Sequence, residues 1–270
     1  MSVVPLSATD LAVVASLVLI LAGLSIWMQL GLGKRIVIAA LRTTVQLMLI
    51  GVVLKTLFAH AALHWVVLLA FVMLSIASYE VTARQKRGFS GWWGYALGGF
   101  SMFVSSFVIT LFVLLVVIDH SPWYKPQYAI PLLGMMLGNT MTGVALAMDR
   151  LTQGAWEQRT VIEARLILGQ PWRQAISHLV RDAVRVGLVP MINAMAAAGV
   201  VSLPGMMTGQ ILGGSPPMEA VKYQILIMFM IAAGTGFASI GATWLGARRL
   251  FDERQRLRLD RLQEVSKNNK

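Results

Sequence analysis

Arg42 is the costliest residue in this sequence to place, because it falls inside the apolar run Ile36–Leu54. An arginine at the centre of a bilayer costs roughly 2.5–3.5 kcal/mol on insertion scales, and less near the boundary, where its long side chain can reach water. Gln46 lies one turn further along the same helical face and Thr43 flanks it. The run therefore carries a polar stripe, which serves either helix–helix hydrogen bonding or the passage of a polar substrate. Asn139 and Thr140 pose the same choice beside Gly134, Gly138 and Thr142, as does Asn193 amid Ala194, Ala196, Ala197 and Ala198. Small residues four apart let a second helix approach closely, so packing is the simpler reading there. Arg42, Gln46, Asn139, Thr140 and Asn193 are the candidate pathway residues.

Donors for other chemistry are few. There is no cysteine, which excludes disulfides, thiolate metal sites and cysteine nucleophiles. Sixteen methionines are present, among them Met135, Met136, Met141, Met191, Met195, Met206 and Met207. Thioethers favour soft ions such as Cu(I), but methionine is also an adaptable packing residue, and packing is preferred here. His60 and His64 are spaced i, i+4, a weak pair without a carboxylate. Glu80 and Asp149 stand beside arginines at span ends, where charge pairing accounts for them. With no general acid–base pair or nucleophile in view, the chain is not expected to be an enzyme by itself, and its metal ligands, if any, stay unassigned.

The stretch "EARLILGQPWRQA", Glu163–Ala175, is the polar exception in an oily chain. After it, Trp172, Ala175, Ile176, Leu179, Val180, Ala183 and Val184 mark one face of a helix. Pro171 suits the first turn of that helix, and Gly169 suits the left-handed end of a preceding one, expected over Ala155–Leu168. Gly169-Gln170-Pro171 thus reads as a corner between two short amphipathic helices. Their apolar face fits either a membrane surface or the groove of a soluble partner.

The elements that must position these residues are membrane spans. Hydrophobic residues make up 57% of the 270 and charged residues 13%, about half the usual charged share of soluble domains. The expected fold class is an all-α integral membrane protein of about seven transmembrane helices: Leu11–Leu30, Ile36–Leu54, Ala62–Tyr79, Trp92–Ile118, Tyr128–Met148, Val184–Leu203 and Val221–Ala247. On this division nineteen Lys and Arg residues face one side and Lys55, Lys125 and Lys222 the other. The positive-inside rule then puts the N-terminus outside and the C-terminus in the cytoplasm. The same clustering explains the net charge of +11 without nucleic acid as a partner. "MSVVPLSATD" lacks the basic start of a cleavable signal, so the first span is expected to stay. Residues 1–250 form the membrane domain with a cytoplasmic loop at about 151–183, and 251–270 a basic tail expected to continue the last helix. Residues 204–217, rich in Gly and Pro, read as irregular and re-entrant backbone.

Glu163-Ala164, then Gly169 six residues after the glutamate, then Pro171-Trp172, resemble the cytoplasmic "EAA" loop of ABC-transporter permeases. "LRTTVQLMLIG", "GNTMTGVALAMDRL", "EARLILG" and "SLPGMMTGQILGG" resemble the Fet-type iron-export permeases, an uncharacterised seven-span family, from about Lys34 to Phe251. The importer loop's later "LP" is absent, and "LVRDAV" stands instead.

The resemblance implies a permease subunit in the cytoplasmic (inner) membrane, working as a homodimer with separate ABC ATPase subunits and exporting iron or another metal. Glu163, Ala164, Arg165, Gly169, Pro171 and Trp172 would form the ATPase-coupling surface. ATP and Mg²⁺ would be bound by the partner, with no cofactor in this chain. In keeping with that, no G-x-x-x-x-G-K-[ST] occurs here. Two alternatives stay open from the residues alone: a seven-span receptor or sensor whose loop binds a signalling partner, and a secondary transporter using Arg42 as a charge partner.

Overall fold

A computed structural model describes residues 7–59, 62–119 and 121–264. The described chain is almost wholly helical, as the long apolar runs require: a backbone in hydrocarbon must satisfy its own N–H and C=O groups. In chain order the helices are α1 Ala8–Trp27, α2 Gly33–Ala59, α3 Leu63–Arg84, α4 Trp92–Phe112, α5 Pro126–Glu157, α6 Arg159–Ile167, α7 Trp172–Ala175, α8 Ser177–Ala197, α9 Gly205–Leu212 and α10 Pro217–Arg249. A π-helical stretch, Val113–Ile118, extends α4. Local chemistry sets several starts. Ser7 caps α1, its Oγ accepting from Asp10 N–H while Asp10 Oδ2 accepts from Ser7 N–H. Pro126 and Pro217 open α5 and α10, where a missing N–H costs nothing.

Among the described residues, six helices are long and apolar enough to cross a membrane: α1, α2, α3, α4 with its π-helical extension, α5 and α10. The sixth expected span, Val184–Leu203, differs. Here α8 begins earlier, at Ser177, ends at Ala197, and carries Arg181, Asp182 and Arg185 in its first half. Its apolar remainder of about twelve residues covers only about 18 Å at 1.5 Å per residue. The chain is a multi-pass membrane protein, and α8 is its most polar long helix.

Helices α5 and α10 form the centre. Buried side chains from α3, α4, α5, α8 and α10 make one continuous core at the end of the bundle that carries the loop 158–176. A second core, around Met136, Met191, Ile227 and Met230, fills the other end. Met136 lies against Gly234, where a Cβ would sit 2.1 Å from Met136 Cε. These methionines are packing residues that fill space beside small ones. Helices α1 and α2 pack on each other and turn most of their apolar side chains outward, as lipid-facing helices do.

Three expectations are corrected. The tail does not extend α10. The helix stops at Arg249 and the chain folds back, so that β2, Leu262–Glu264, pairs antiparallel with β1, Arg87–Phe89. Leu250, Phe251 and Leu262 are buried by that return, whereas a helix running into water would expose them. The segment 204–217 is not irregular throughout, because α9 occupies Gly205–Leu212 and packs on α10. The small-residue ridge Gly134, Gly138 and Thr142 borders an open groove between α2, α3 and α5 rather than a close helix crossing among the described residues. A Cβ at Gly138 would meet nothing within 4 Å, and one at Gly134 only Met73 Cε. The close approach is at Gly143 of α5 and Gly187 of α8, where a Cβ on either would lie within 3 Å of the other's carbonyl oxygen.

Candidate functional site

The stretch 158–176 folds as a corner, with its second helix interrupted. Helix α5 runs unbroken to Glu157, so the helix expected over Ala155–Leu168 is divided at Gln158 into the end of α5 and a separate α6. At the end of α6, Gly169 adopts φ +83°, its N–H donates to Leu166 O at 3.0 Å, and Gln170 N–H donates to Arg165 O at 3.1 Å. This paired closure satisfies the last carbonyls of the helix and needs a residue that tolerates positive φ. Pro171 caps α7 rather than standing in its first turn, its carbonyl accepting from Gln174 and Ala175 N–H. The chain breaks again at Ile176 and continues as α8.

The apolar face read from the spacing is real, and its centre packs into the chain's own core. Ala175, Ile176, Leu179 and Ala183 are buried in the chain's own core beside Val144, Leu151 and Phe251. What stays outside is the tip. Glu163, Ala164, Gly169, Gln170 and Pro171 are exposed, and Glu163 makes no hydrogen bond or ion pair among the described residues. Ile167 and Leu168 are 86% and 80% exposed, two apolar side chains at the apex of a polar loop. The sequence reading missed this pair because the helical period fixes which face is apolar, not what covers it.

Arg165 and Trp172 hold the corner instead of facing outward. Arg165 Nη1 donates to Ala175 O at 3.1 Å and to His178 Nδ1 at 2.8 Å, and His178 Nε2 pairs with Gln158 Oε1 at 2.8 Å. Trp172 packs against Phe251 of the returning tail, ring centroids 5.5 Å apart, and its N–H donates to Gln255 Oε1 at 3.0 Å. A groove of about 570 Å³ separates Glu163, Ile167 and Gly169 from Arg254–Leu257 of that tail.

The candidate pathway residues are not brought together. Arg42 and Gln46 line one groove of about 470 Å³ between α2, α3 and α5, with Glu80, Arg84, Gly138 and Met141. Arg42 Nη2 donates to Glu80 Oε1 at 2.6 Å, and Arg84 reaches the other carboxylate oxygen at 3.6 Å. A charge-assisted pair explains how an arginine is tolerated within α2. Asn139 is exposed and donates to Met135 O at 2.8 Å. Thr140 points into the interior, fully buried, its Oγ1 without a partner. Asn193 is exposed on α8, with Ala194 and Ala196 exposed beside it, so no tight packing surrounds it within the chain. His60 lies outside the described residues, and His64 stands against Trp65. No three His, Asp or Glu side chains converge among the described residues.

The family described as "Uncharacterised protein family (UPF0014)" matches residues 8–251. A "UPF0014 membrane protein" of Synechocystis is 38% identical over 86% of this chain and 88% of its own length. "Protein ALUMINUM SENSITIVE 3" of Arabidopsis thaliana is 34% identical over 86% of this chain and 83% of its own. "Probable iron export permease protein FetB" of Escherichia coli is 32% identical over 87% of this chain and 89% of its own. No solved structure matches the chain.

Proposed function

From the premise that this chain belongs to the UPF0014 family, whose members include a probable iron export permease, we propose that it is the membrane subunit of an ATP-driven exporter. In this reading two copies work with separate ATPase subunits in the cytoplasmic membrane, and iron or another metal ion is the cargo. The chain crosses the membrane seven times with its N-terminus outside, the crossing between α5 and α10 being made by the later turns of α8 with the segment through α9. The observation that carries the reading is the exposed apex. Fully burying an Ile or Leu side chain gains about 1.5–3 kcal/mol, so an apolar tip on a rigid polar corner is stabilised by a partner's cleft. Glu163, Ala164, Gly169 and Gln170 around the tip supply a polar rim. The corner is closed by its own hydrogen bonds and braced through Arg165 and Trp172, so a push on the tip reaches α5 and α8 as a rigid-body movement. The metal would enter as substrate, and the groove holding Arg42, Gln46 and Glu80 is the polar surface within the spans nearest to such a path.

The experiment is co-purification of the ATPase with detergent-solubilised protein, read beside membrane yield. Leu168→Asp should lower ATPase retention at least tenfold, as the loss of roughly 1.4 kcal/mol or more implies. Glu163→Lys should weaken it by a smaller factor. Yield should stay at the wild-type level, because neither side chain packs within the chain. Wild-type retention in both variants would place the docking surface elsewhere.

A further inference from the structure

The returning tail borders a further open groove, of about 800 Å³, beside the end of α10. One wall is apolar, made by Trp93 and Leu97 at the start of α4 and Leu245 of α10. The lining also carries Arg248, Arg249, Arg254, Arg256 and Arg261. Against these five arginines stand two carboxylates, Asp252 and Glu253, a formal excess of three positive charges.

Partners within the chain use up part of this charge and leave the rest. Arg256 pairs with Asp252 at 2.8 Å. Arg261 donates from Nη1 to the carbonyls of Arg249 and Phe251, at 2.7 and 3.3 Å, which fixes the tail but leaves its charge uncompensated. Arg249 stacks on Trp93, its guanidinium carbon 4.3 Å from the ring centroid, and has no ion pair among the described residues. Its Nε is buried with no hydrogen-bond partner. A buried donor on a charged group that goes unpaired is costly, more so with the like charge of Arg261 and Arg258 beside it. Arg248 lies over Trp244, so two Trp–Arg pairs mark this end of the bundle. Tryptophan and arginine together at the ends of spanning helices sit at the depth of lipid headgroups.

We propose that this groove binds the phosphate of an anionic phospholipid from the leaflet facing the tail. The guanidinium groups of Arg249 and Arg254 take the phosphate oxygens, and the lipid's apolar part lies along Trp93 and Leu245. Unmatched positive charge and an orphan N–H call for an anion. The apolar wall selects a lipid over free phosphate, which would leave that wall uncovered. The inference needs only that the chain sits in a bilayer, and it stands apart from the transport reading.

The test is native mass spectrometry of the delipidated full-length protein in non-ionic detergent, titrated with phosphatidylglycerol, with phosphatidylcholine and with inorganic phosphate. Phosphatidylglycerol should be retained at about twenty-fivefold lower concentration than phosphatidylcholine, since each of the two arginines at such a surface adds about a fivefold preference. Arg249→Gln should lower phosphatidylglycerol affinity about fivefold and leave phosphatidylcholine unchanged. Arg254→Gln, an exposed position whose loss leaves the packing intact, should lower it about fivefold and decides the matter if Arg249→Gln fails to fold. Arg159→Gln, on α6, should change nothing. Equal binding of the two lipids, wild-type phosphatidylglycerol affinity in Arg254→Gln, or displacement of the lipid by an equal concentration of inorganic phosphate would each overturn the proposal.

Discussion

His178 accepts at Nδ1 from the Arg165 guanidinium, which can only donate, so its proton sits on Nε2 and is given to Gln158 Oε1. Partial burial, then the charges of Arg165 and Arg181, hold its pKa below the usual 6.5, with Asp182 opposing. The folded state therefore binds fewer protons than the unfolded one through this group. Its contribution to stability is complete above about pH 6.5 and is lost as pH falls below that value through the folded pKa. Protonation would also end the Arg165 bond and set two cations together at the join of α6 and α8. Amide hydrogen exchange across 159–180, corrected for intrinsic rates, should quicken from about pH 7.5 to about 5.5, and His178→Gln should flatten the dependence. A wild type that shows no such change would deny His178 this role. Little of this network was legible in the sequence. The resemblance puts Arg165 on the coupling surface, and nothing in the spacing joins it to His178 thirteen positions on. The same limit holds for Arg42. Its cost in α2 could be read from residue type alone, and Glu80 read as a pairing group, but their pairing across 38 positions comes only from the packing of α2 beside α3.

Helix existence was legible wherever an apolar run was long, because hydrocarbon leaves the backbone no other choice. Which helices touch was not legible. The period-four series Gly134, Gly138 and Thr142 suggested the close contact of α5, yet Gly143, Gly187, Thr235 and Ser239 make it, on another face and with no obvious repeat. Small residues permit approach without saying from which neighbour. The contrast gives a prediction for the α5–α8 crossing. A Cβ at Gly187 would stand 2.7 Å from the Gly143 carbonyl oxygen and 2.9 Å from Ala147 Cβ, and neither is the free end of a flexible side chain. Gly187→Ala should cost about 1–3 kcal/mol through overpacking. Gly138→Ala meets open space and should be neutral or slightly stabilising, since alanine favours a helix over glycine by about 1 kcal/mol. Thermal unfolding in detergent should show a lowered Tm for the first variant only. Equal Tm values would mean that α5 and α8 do not cross here. The tail was misread for a related reason. Its charge pattern suits a solvated helix, and only the burial of Leu250, Phe251 and Leu262 shows why it turns back.

The basic loops gather at one end of the molecule by direct contact. The strand after α3 pairs with the tail after α10. Lys86 N–H donates to Asp149 Oδ1 at 2.6 Å, joining the α3–α4 connection to the end of α5. Arg150 pairs with Asp182 at 2.6 Å, joining α5 to the start of α8, and Trp172 N–H reaches Gln255 of the tail. The C-terminal ends of α3, α5 and α10 and the N-terminal ends of α4 and α8 therefore share one side. An unbroken α10 of 33 residues, about 50 Å at 1.5 Å per residue, must then start on the other side. The proposed seven-span reading therefore needs a crossing between α8 and α10, although α8 is more polar than the six long apolar helices. Its Arg181, Asp182 and Arg185 lie in the first turns, next to Arg150 and outside the hydrocarbon, so only the later, apolar turns and the segment through α9 need lipid or protein around them. Reporter fusions should accordingly read opposite sides at Glu157 and Glu219, with Lys125 agreeing with Glu219. The positive-inside bias assigns Glu157 to the cytoplasm. The same sidedness at Glu157 and Glu219 would mean that α8 and α9 dip in and return. That result would remove one crossing and overturn the seven-span reading.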